Sequence, residues 1–255
     1  MLRREPTLLL FVLVCAGLSH AQYEVPDEIF QRTLLIRNGT EHATAFKLEQ
    51  AGRIYLVTTR HFGKSLPLTK AMVQVWRNRK QDWDELQTVR TFFPDAKDVD
   101  LAIIETVEQA AKPYSVVKTA EVLTTGEKVW FMGWLAKALL PKQPPNMPKT
   151  QRPIFPEIPN LVKLGAISAI NPTQPDSFEI TCQGWCAPDI AGGPVIYWSS
   201  AHKDFEVLGV IKRSQLSNAT ASSDGIPGQP SRFRAYSIDT VVEVIEAKSR
   251  AEQAR

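Results

Sequence analysis

Short apolar-rich stretches with turn residues between them recur along most of the chain. The first half contains six such stretches of five to eight residues, rich in β-branched and aromatic side chains, and a second series begins at Lys128. The six stretches are Arg32–Ile36, Ala43–Gln50, Arg53–Thr58, Met72–Arg77, Leu86–Phe92 and Leu101–Glu105. Because many short strands separated by turn residues are typical of sandwiches and barrels, this pattern predicts an all-β protein.

Two loops and one helix interrupt the pattern in the second half. Seven prolines between Pro141 and Pro159 are incompatible with a regular strand or helix and predict a stiff, extended surface loop. A stretch rich in glycine, proline and serine from Ser217 to Ser231 predicts a second loop. From Ile238 onward, apolar residues at helical spacing precede Lys, Arg, Glu and Ala, which predicts an amphipathic helix over 238–255.

Residues 1–21 have the features of a secretory signal peptide. Arg3 and Arg4 precede an apolar run from Leu8 to Leu18, and Ser19-His20-Ala21 fits the small-residue pattern of a signal peptidase site. The alternative is an uncleaved anchor, but the run is too short to span a bilayer comfortably. We therefore expect cleavage after residue 21, a secreted or periplasmic location, and no stable membrane insertion of the mature chain.

The composition is that of a globular protein. Of 255 residues, 44% are hydrophobic and 22% charged. A chain of this length can form one large domain or two of about 100 residues each. The formal net charge is only +3, and no basic patch with interleaved aromatic residues is present. This balance argues against nucleic acid as a partner.

Two cysteines remain once the signal segment is removed. Cys182 and Cys186 form an even pair in an export-destined chain, where oxidation is the rule, so we expect a disulfide that stiffens the segment before residue 191. A metal-binding pair is the alternative, but no histidine or further cysteine lies close enough in sequence to complete a site. The sequence therefore predicts neither a metal nor a cofactor.

Three separate segments carry candidate chemistry. The β-branched stretch Ile54–Thr58 leads to His61, and imidazole is the side chain best suited to proton transfer near neutral pH. Asp100 begins the apolar stretch Leu101–Ile104, where a partly buried carboxylate needs a partner such as an imidazole N–H. The third segment, Ala191-Gly192-Gly193-Pro194, by itself indicates only a tight turn that enters a strand.

In their order along the chain, these segments resemble the trypsin/chymotrypsin-like serine peptidases, particularly the bacterial trypsin-like and HtrA-like peptidases. That family has histidine, then aspartate, then a Gly-x-Ser-Gly-Gly-Pro loop. The resemblance extends from about Thr33 to about Ile245. It implies two six-stranded β-barrels packed side by side, over residues 22–118 and 119–237, followed by the helix 238–255. The proline-rich segment 141–159 is then an insertion in the second barrel.

The resemblance also implies roles for individual residues. His61 corresponds to the general base, and Asp100 to the carboxylate that orients it. Ala191 takes the position of the nucleophilic serine, and the backbone N–H groups of Asp189 and Ala191 correspond to the oxyanion hole. Trp185 lies either where the family has the floor of its specificity pocket or in the interface between the barrels.

Alanine at the nucleophile position predicts a pseudopeptidase, because a methyl group cannot attack a peptide carbonyl. The alternative is an active serine endopeptidase whose serine was changed by design or whose nucleophile lies elsewhere. Asp189 favours natural loss of activity, since the family has a glycine there and a carboxylate repels a developing oxyanion. We therefore expect an exported binding module that holds a peptide or protein in the former substrate cleft.

Overall fold

The structure, a computed structural model, describes residues 27–77, 82–107, 113–116, 123–134, 160–170, 177–183, 190–212 and 230–254. The predicted signal peptide 1–21 and the predicted proline-rich loop 141–159 lie outside these ranges, as does most of the predicted loop from Ser217 to Ser231. Within the described ranges, no helix has both the length and the apolar composition needed to cross a membrane.

The first six strands surround an apolar core. They are β1 (Thr33–Asn38), β2 (Glu41–Gln50), β3 (Arg53–Thr58), β4 (Met72–Arg77), β5 (Asp82–Phe92) and β6 (Ala102–Thr106). Neighbouring strands pair antiparallel in the order β1-β2-β3-β6-β5-β4 and close into a barrel. The interior contains a buried cluster that includes Ile36, Leu56, Val73 and Leu86. Alternation along β4 and β5 places their remaining polar residues on the outer face.

The second half of the chain forms another barrel. Its strands are β7 (Ser115–Val116), β8 (Lys128–Trp134), β9 (Asn160–Ile170), β10 (Ser177–Gln183), β11 (Pro194–Ser199), β12 (Asp204–Ile211) and β13 (Pro230–Ser237). Strands β8 to β13 close into a six-stranded barrel because β11 pairs with β12 as well as with β8. The short β7 pairs parallel to β12, so residues 115–116 belong to the second sheet although they fall within the predicted first barrel.

One apolar cluster connects the two barrels. Phe46 and Val57 from the first barrel and Met132 from the second are fully buried in it. A short helix that the sequence pattern did not predict, α1 (Asp27–Arg32), adds Ile29 to the same cluster. The two barrels therefore share part of their hydrophobic core.

The C-terminal helix packs on this shared cluster. Helix α3 (Ile238–Gln253) begins after Ser237, whose hydroxyl accepts a hydrogen bond from the N–H of Asp239 at 3.1 Å. Such an N-cap satisfies a backbone donor that has no partner inside the helix. Val241 and Ile245, one turn apart, are buried against the cluster.

Charged residues attach the far end of α3 to the first barrel. Glu252 pairs with Arg53 on β3 at 3.5 Å and also with Arg90 on β5. Both arginines bind Glu105 on β6, at 3.1 and 2.6 Å. The Glu105 side chain is only 9% exposed, so two cations neutralise a nearly buried carboxylate. The helix that ends the second half is therefore held by the first.

The predicted all-β architecture of two six-stranded barrels and a C-terminal helix is confirmed. Strands β3 and β4 coincide with the predicted stretches, and α3 begins at the predicted residue. Strand β5 starts earlier than predicted, at Asp82, because its polar beginning is paired with β4 through Arg77. Hydrophobic pattern alone could not show that extension.

Candidate functional site at the junction of the barrels

His61 lies in a helical turn rather than at the end of a strand. Helix α2 (Arg60–Gly63) follows β3 and is closed by the N–H of Gly63, which donates to the carbonyl of Thr59 at 3.0 Å. A Cβ at position 63 would lie 2.5 Å from the Cβ of Ala102, so glycine lets this turn pack against β6. The turn presents the His61 imidazole, 39% exposed, at the edge of the first barrel.

Asp100, immediately before β6, binds His61 through both carboxylate oxygens. Oδ1 accepts the backbone N–H of His61 at 3.0 Å, and Oδ2 accepts from Nδ1 at 3.2 Å. Burial acts to raise the pKa of the Asp100 carboxyl, but hydrogen bonds from the His61 side chain and backbone outweigh it and lower that pKa below its ordinary value. The ionised carboxylate therefore holds the imidazole with Nδ1 protonated.

A buried hydroxyl faces the other ring nitrogen. Thr59 Oγ1 lies 3.4 Å from Nε2 of His61. With the proton on Nδ1, Nε2 is an acceptor and the threonine hydroxyl is the donor. Thr59 is only 1% exposed, so its hydroxyl is out of reach of a substrate carbonyl. Thr59 is therefore a structural partner of the imidazole.

A tyrosine of the second barrel holds the backbone of Asp100. The N–H of Asp100 donates to Oη of Tyr236, on β13, at 2.9 Å. Burial, together with the charges of Asp100 and Asp98, raises the pKa of the Tyr236 hydroxyl, which is therefore neutral at physiological pH. The histidine–aspartate pair of one barrel is thus anchored to the other.

Ala191 lies in a buried turn directly before β11. The N–H of Gly193 donates to the carbonyl of Ile190 at 3.0 Å and closes the turn. Ile211 on β12 accepts from the N–H of Gly192 and donates to the carbonyl of Gly193, both at 2.9 Å. Ala191 itself is 7% exposed. Strand β12 therefore fixes the turn on both of its glycines.

Close backbone contact joins this turn to the first barrel. Gly192 has a φ of +85°, and a Cβ there would lie 2.6 Å from the carbonyl oxygen of Thr44 and 3.2 Å from the N of Thr59. Only glycine adopts this conformation at this separation. Because Thr59 stands two residues before His61, the turn packs on the backbone that leads to the histidine. We call the place where His61, its aspartate and the Ala191 turn meet the junction.

Other predicted site residues lie outside the described residues. They are Asp189, whose N–H was expected in the oxyanion hole, Cys186 and Trp185. Cys182 is buried at the end of β10. The disulfide between the two cysteines and the role of Asp189 stay predictions. Within the described part of the chain, no three His, Cys, Asp or Glu side chains are grouped to hold a metal ion.

Comparisons with known proteins identify the fold. No protein-family model matches the sequence, and no curated protein matches it. Among solved structures, the chain is similar to the crystal structure of Rv3671c from M. tuberculosis H37Rv, a serine-to-alanine mutant in an inactive form. The two share 15% identity with a TM-score of 0.50 over 97% of this chain and 95% of that chain. The fold is the trypsin-like double β-barrel.

Sequence reasoning did not find three residues of the junction. Thr59 and Tyr236 contact the histidine–aspartate pair, and Lys212 places its ammonium 5.2 Å from the centre of the Tyr236 ring. Tyr236 is 136 residues from Asp100 in sequence, so no local pattern could have connected them. Thr59 lies inside the histidine segment, and its position directly after the apolar stretch Ile54–Thr58 is the signal that the sequence offers.

Proposed function

We propose that this chain binds a peptide or a protein segment at the junction without cleaving it. One observation supports the proposal. The Ala191 turn, which corresponds in sequence to the nucleophile loop of the peptidases, packs on the backbone of Thr59, two residues before His61, and the side chain of Ala191 is a methyl group. Hydrolysis by the covalent route needs an oxygen that gives its proton to the imidazole, and a methyl group has none.

The absence of a serine has a large effect on the rate of hydrolysis. Removing the serine of such a triad lowers kcat by about 10⁶-fold in the best-studied case, leaving only what the oxyanion hole and binding supply. Asp189 acts in the same direction, because an aspartate resists the backbone conformation of the glycine expected there. Two independent changes therefore oppose the same transition state.

Retention of the histidine–aspartate pair supports a role in binding. The His61 and Asp100 side chains are 39% and 26% exposed, so a ligand can reach them. Solvent-reachable polar groups that the fold holds in place are common in ligand sites. A peptide or protein segment is the occupant that the resemblance to peptidases favours.

Fluorophosphonate labelling and hydrolysis of fluorescent casein test the catalytic half of the proposal. We expect the purified protein to show neither. Labelling that is lost in His61→Ala would overturn the proposal and favour the active endopeptidase. Ala191→Ser then separates the two defects: recovered hydrolysis means that the serine was the only obstacle, and continued inactivity assigns the second obstacle to Asp189.

An array of short peptides tests the binding half. We expect a subset of peptides to bind the protein and to be lost in His61→Trp, which fills the junction. Lys248→Trp is the matched control, because Lys248 is exposed on α3 and an indole there leaves the junction open. Equal loss in both variants, or no binding at all, contradicts the proposal.

We further propose that the protein works after export, as the segment 1–21 suggests. Expression of the full chain in a bacterial host followed by cell fractionation tests this. The expected product lies outside the cytoplasm, begins at Gln22 by intact mass, and resists alkylation at Cys182 and Cys186 until it is reduced. A cytoplasmic product that retains Met1 contradicts it.

A further inference from the structure

Lys212 lies at the rim of the junction. It follows Ile211, the residue whose N–H and carbonyl both bind the Ala191 turn at 2.9 Å. Its own N–H donates to the carbonyl of Arg234 on β13 at 2.8 Å, which fixes the backbone at this point. The side chain of Lys212 is half-buried. The backbone of Lys212 is therefore fixed next to the hydrogen bonds that hold the Ala191 turn.

The ammonium group lies over the tyrosine that contacts the histidine–aspartate pair. Nζ is 5.2 Å from the centre of the Tyr236 ring, within the range of a cation–π contact. The hydroxyl of the same ring accepts the N–H of Asp100. One aromatic ring thus separates the lysine charge from the pair. Over the residues that the structure describes, Lys212 forms no ion pair with a carboxylate.

The charged groups near Lys212 have other partners, so its ammonium can bind an anion of a ligand. Asp100 uses both carboxylate oxygens on His61. Arg60, a cation whose charge also acts on Tyr236, donates to the carbonyls of Pro94 and Ala96. Among the described residues, Asp98 is an exposed anion in the loop before Asp100, and its charge acts on Tyr236.

From this arrangement we infer that Lys212 binds an acidic side chain of the peptide held at the junction. The inference rests on the proposed function and adds the chemical class of the ligand. A ligand carboxylate within reach of the Lys212 ammonium gains a charge-assisted hydrogen bond. The donor is a cation that the Tyr236 ring already positions. Specificity then arises because a neutral or basic residue at that place gives the ammonium no anionic partner.

Short peptides synthesised in matched pairs, identical except for Glu or Gln at one position, test the inference. We expect the protein to bind the Glu member of junction-dependent pairs about fivefold more tightly, as for a partly exposed ion pair. Lys212→Met keeps the aliphatic length and should abolish this preference. Lys212→Glu should reverse it, so that the Gln member binds better.

Two further variants control for net charge and for the competing anion. Lys248→Glu makes the same charge change on exposed α3 and should leave the preference intact. Asp98→Asn removes this exposed anion and should strengthen binding of the Glu peptides. Binding that is lost in His61→Trp but shows no Glu preference overturns this inference alone, whereas an array with no binding lost in His61→Trp overturns it together with the proposed function.

Discussion

At the scale of single residues, hydrogen bonds and close backbone packing fix the side chains of the junction. Asp100 is bound on three sides: His61 occupies both oxygens and Tyr236 accepts its N–H. The Ala191 turn has no freedom either, because Gly192 lies against the backbone of Thr44. The His61–Asp100 pair and the Ala191 turn are therefore held in place by the fold itself.

Replacing Asp100 by Asn should lower stability in a pH-dependent way. The pKa of Asp100 lies below its usual 3.8 in the folded protein, so its carboxylate stabilises the fold above that pH, and the contribution is lost as the pH falls through the folded value. We expect Asp100→Asn to cost about 1 kcal/mol at pH 7 and progressively less under acid conditions. Urea unfolding at neutral and acid pH measures this.

The exposed Asp98 provides the control for this experiment. Asp98→Asn removes the same charge two residues away and should leave the unfolding midpoint nearly unchanged at both pH values. An Asp100→Asn protein as stable as the parent at pH 7 contradicts the assigned role of the pair.

Replacing Gly192 by Ala should disrupt the Ala191 turn. The residue has a φ of +85°, and the new Cβ would lie 2.6 Å from the Thr44 carbonyl oxygen. We expect a loss of about 3 kcal/mol, from left-handed strain plus overpacking. Gly39→Ala is the matched control, since Gly39 also has a positive φ of +57° but no atom within 4 Å of the added Cβ.

The control should lose only about 1 kcal/mol, the strain alone. Chemical unfolding of both variants gives the difference. Equal losses would mean that the contact with the first barrel has no energetic weight.

At the scale of elements, strands are predictable from sequence where apolar, β-branched runs form them, and they are missed where polar residues pair with a neighbouring strand. The stretches Arg53–Thr58 and Met72–Arg77 were found in full, because each has apolar residues directed to the barrel interior. Helix α1 and the helical turn at His61 were not, since each is too short to show a helical period. The histidine–aspartate pair was found only because its motifs resembled a known family.

The two glutamates that bind Arg53 and Arg90 differ in exposure, and their replacement should therefore cost different amounts of stability. Glu105 is 9% exposed and binds both Arg53 and Arg90, whereas Glu252 is 36% exposed. Glu105→Gln should cost about 3 kcal/mol, because it leaves two arginines without their buried partner. Glu252→Gln should cost less than about 1 kcal/mol and mainly loosen the last turn of the helix.

Thermal unfolding and amide hydrogen exchange of the last helical turn measure the two effects. Glu246→Gln is the control, because the partner of Glu246 among the described residues is Arg250, on the exposed face of the same helix. If exchange in the last turn rises as much in this control as in Glu252→Gln, the contact with the first barrel is not what holds the helix end.

At the scale of the whole molecule, the two barrels share a core and should unfold together. The connecting cluster buries side chains from both, including Phe46 and Met132 at 0% exposure. We expect one calorimetric transition, and Met132→Ala should lower its midpoint by an amount equivalent to about 3 kcal/mol. Met72→Ala, at a residue 47% exposed, should leave it unchanged. Two separate transitions would contradict a shared core.

The amide of Asp100 is a gauge of how the two halves are oriented, because its acceptor, Tyr236, belongs to the opposite half. A ligand that moves the two barrels apart should break this hydrogen bond and speed deuterium exchange of the Asp100 amide. A ligand that draws the barrels together should slow that exchange. Ligand binding at the junction can therefore be followed by the exchange of a single backbone amide proton, even before the ligand is identified.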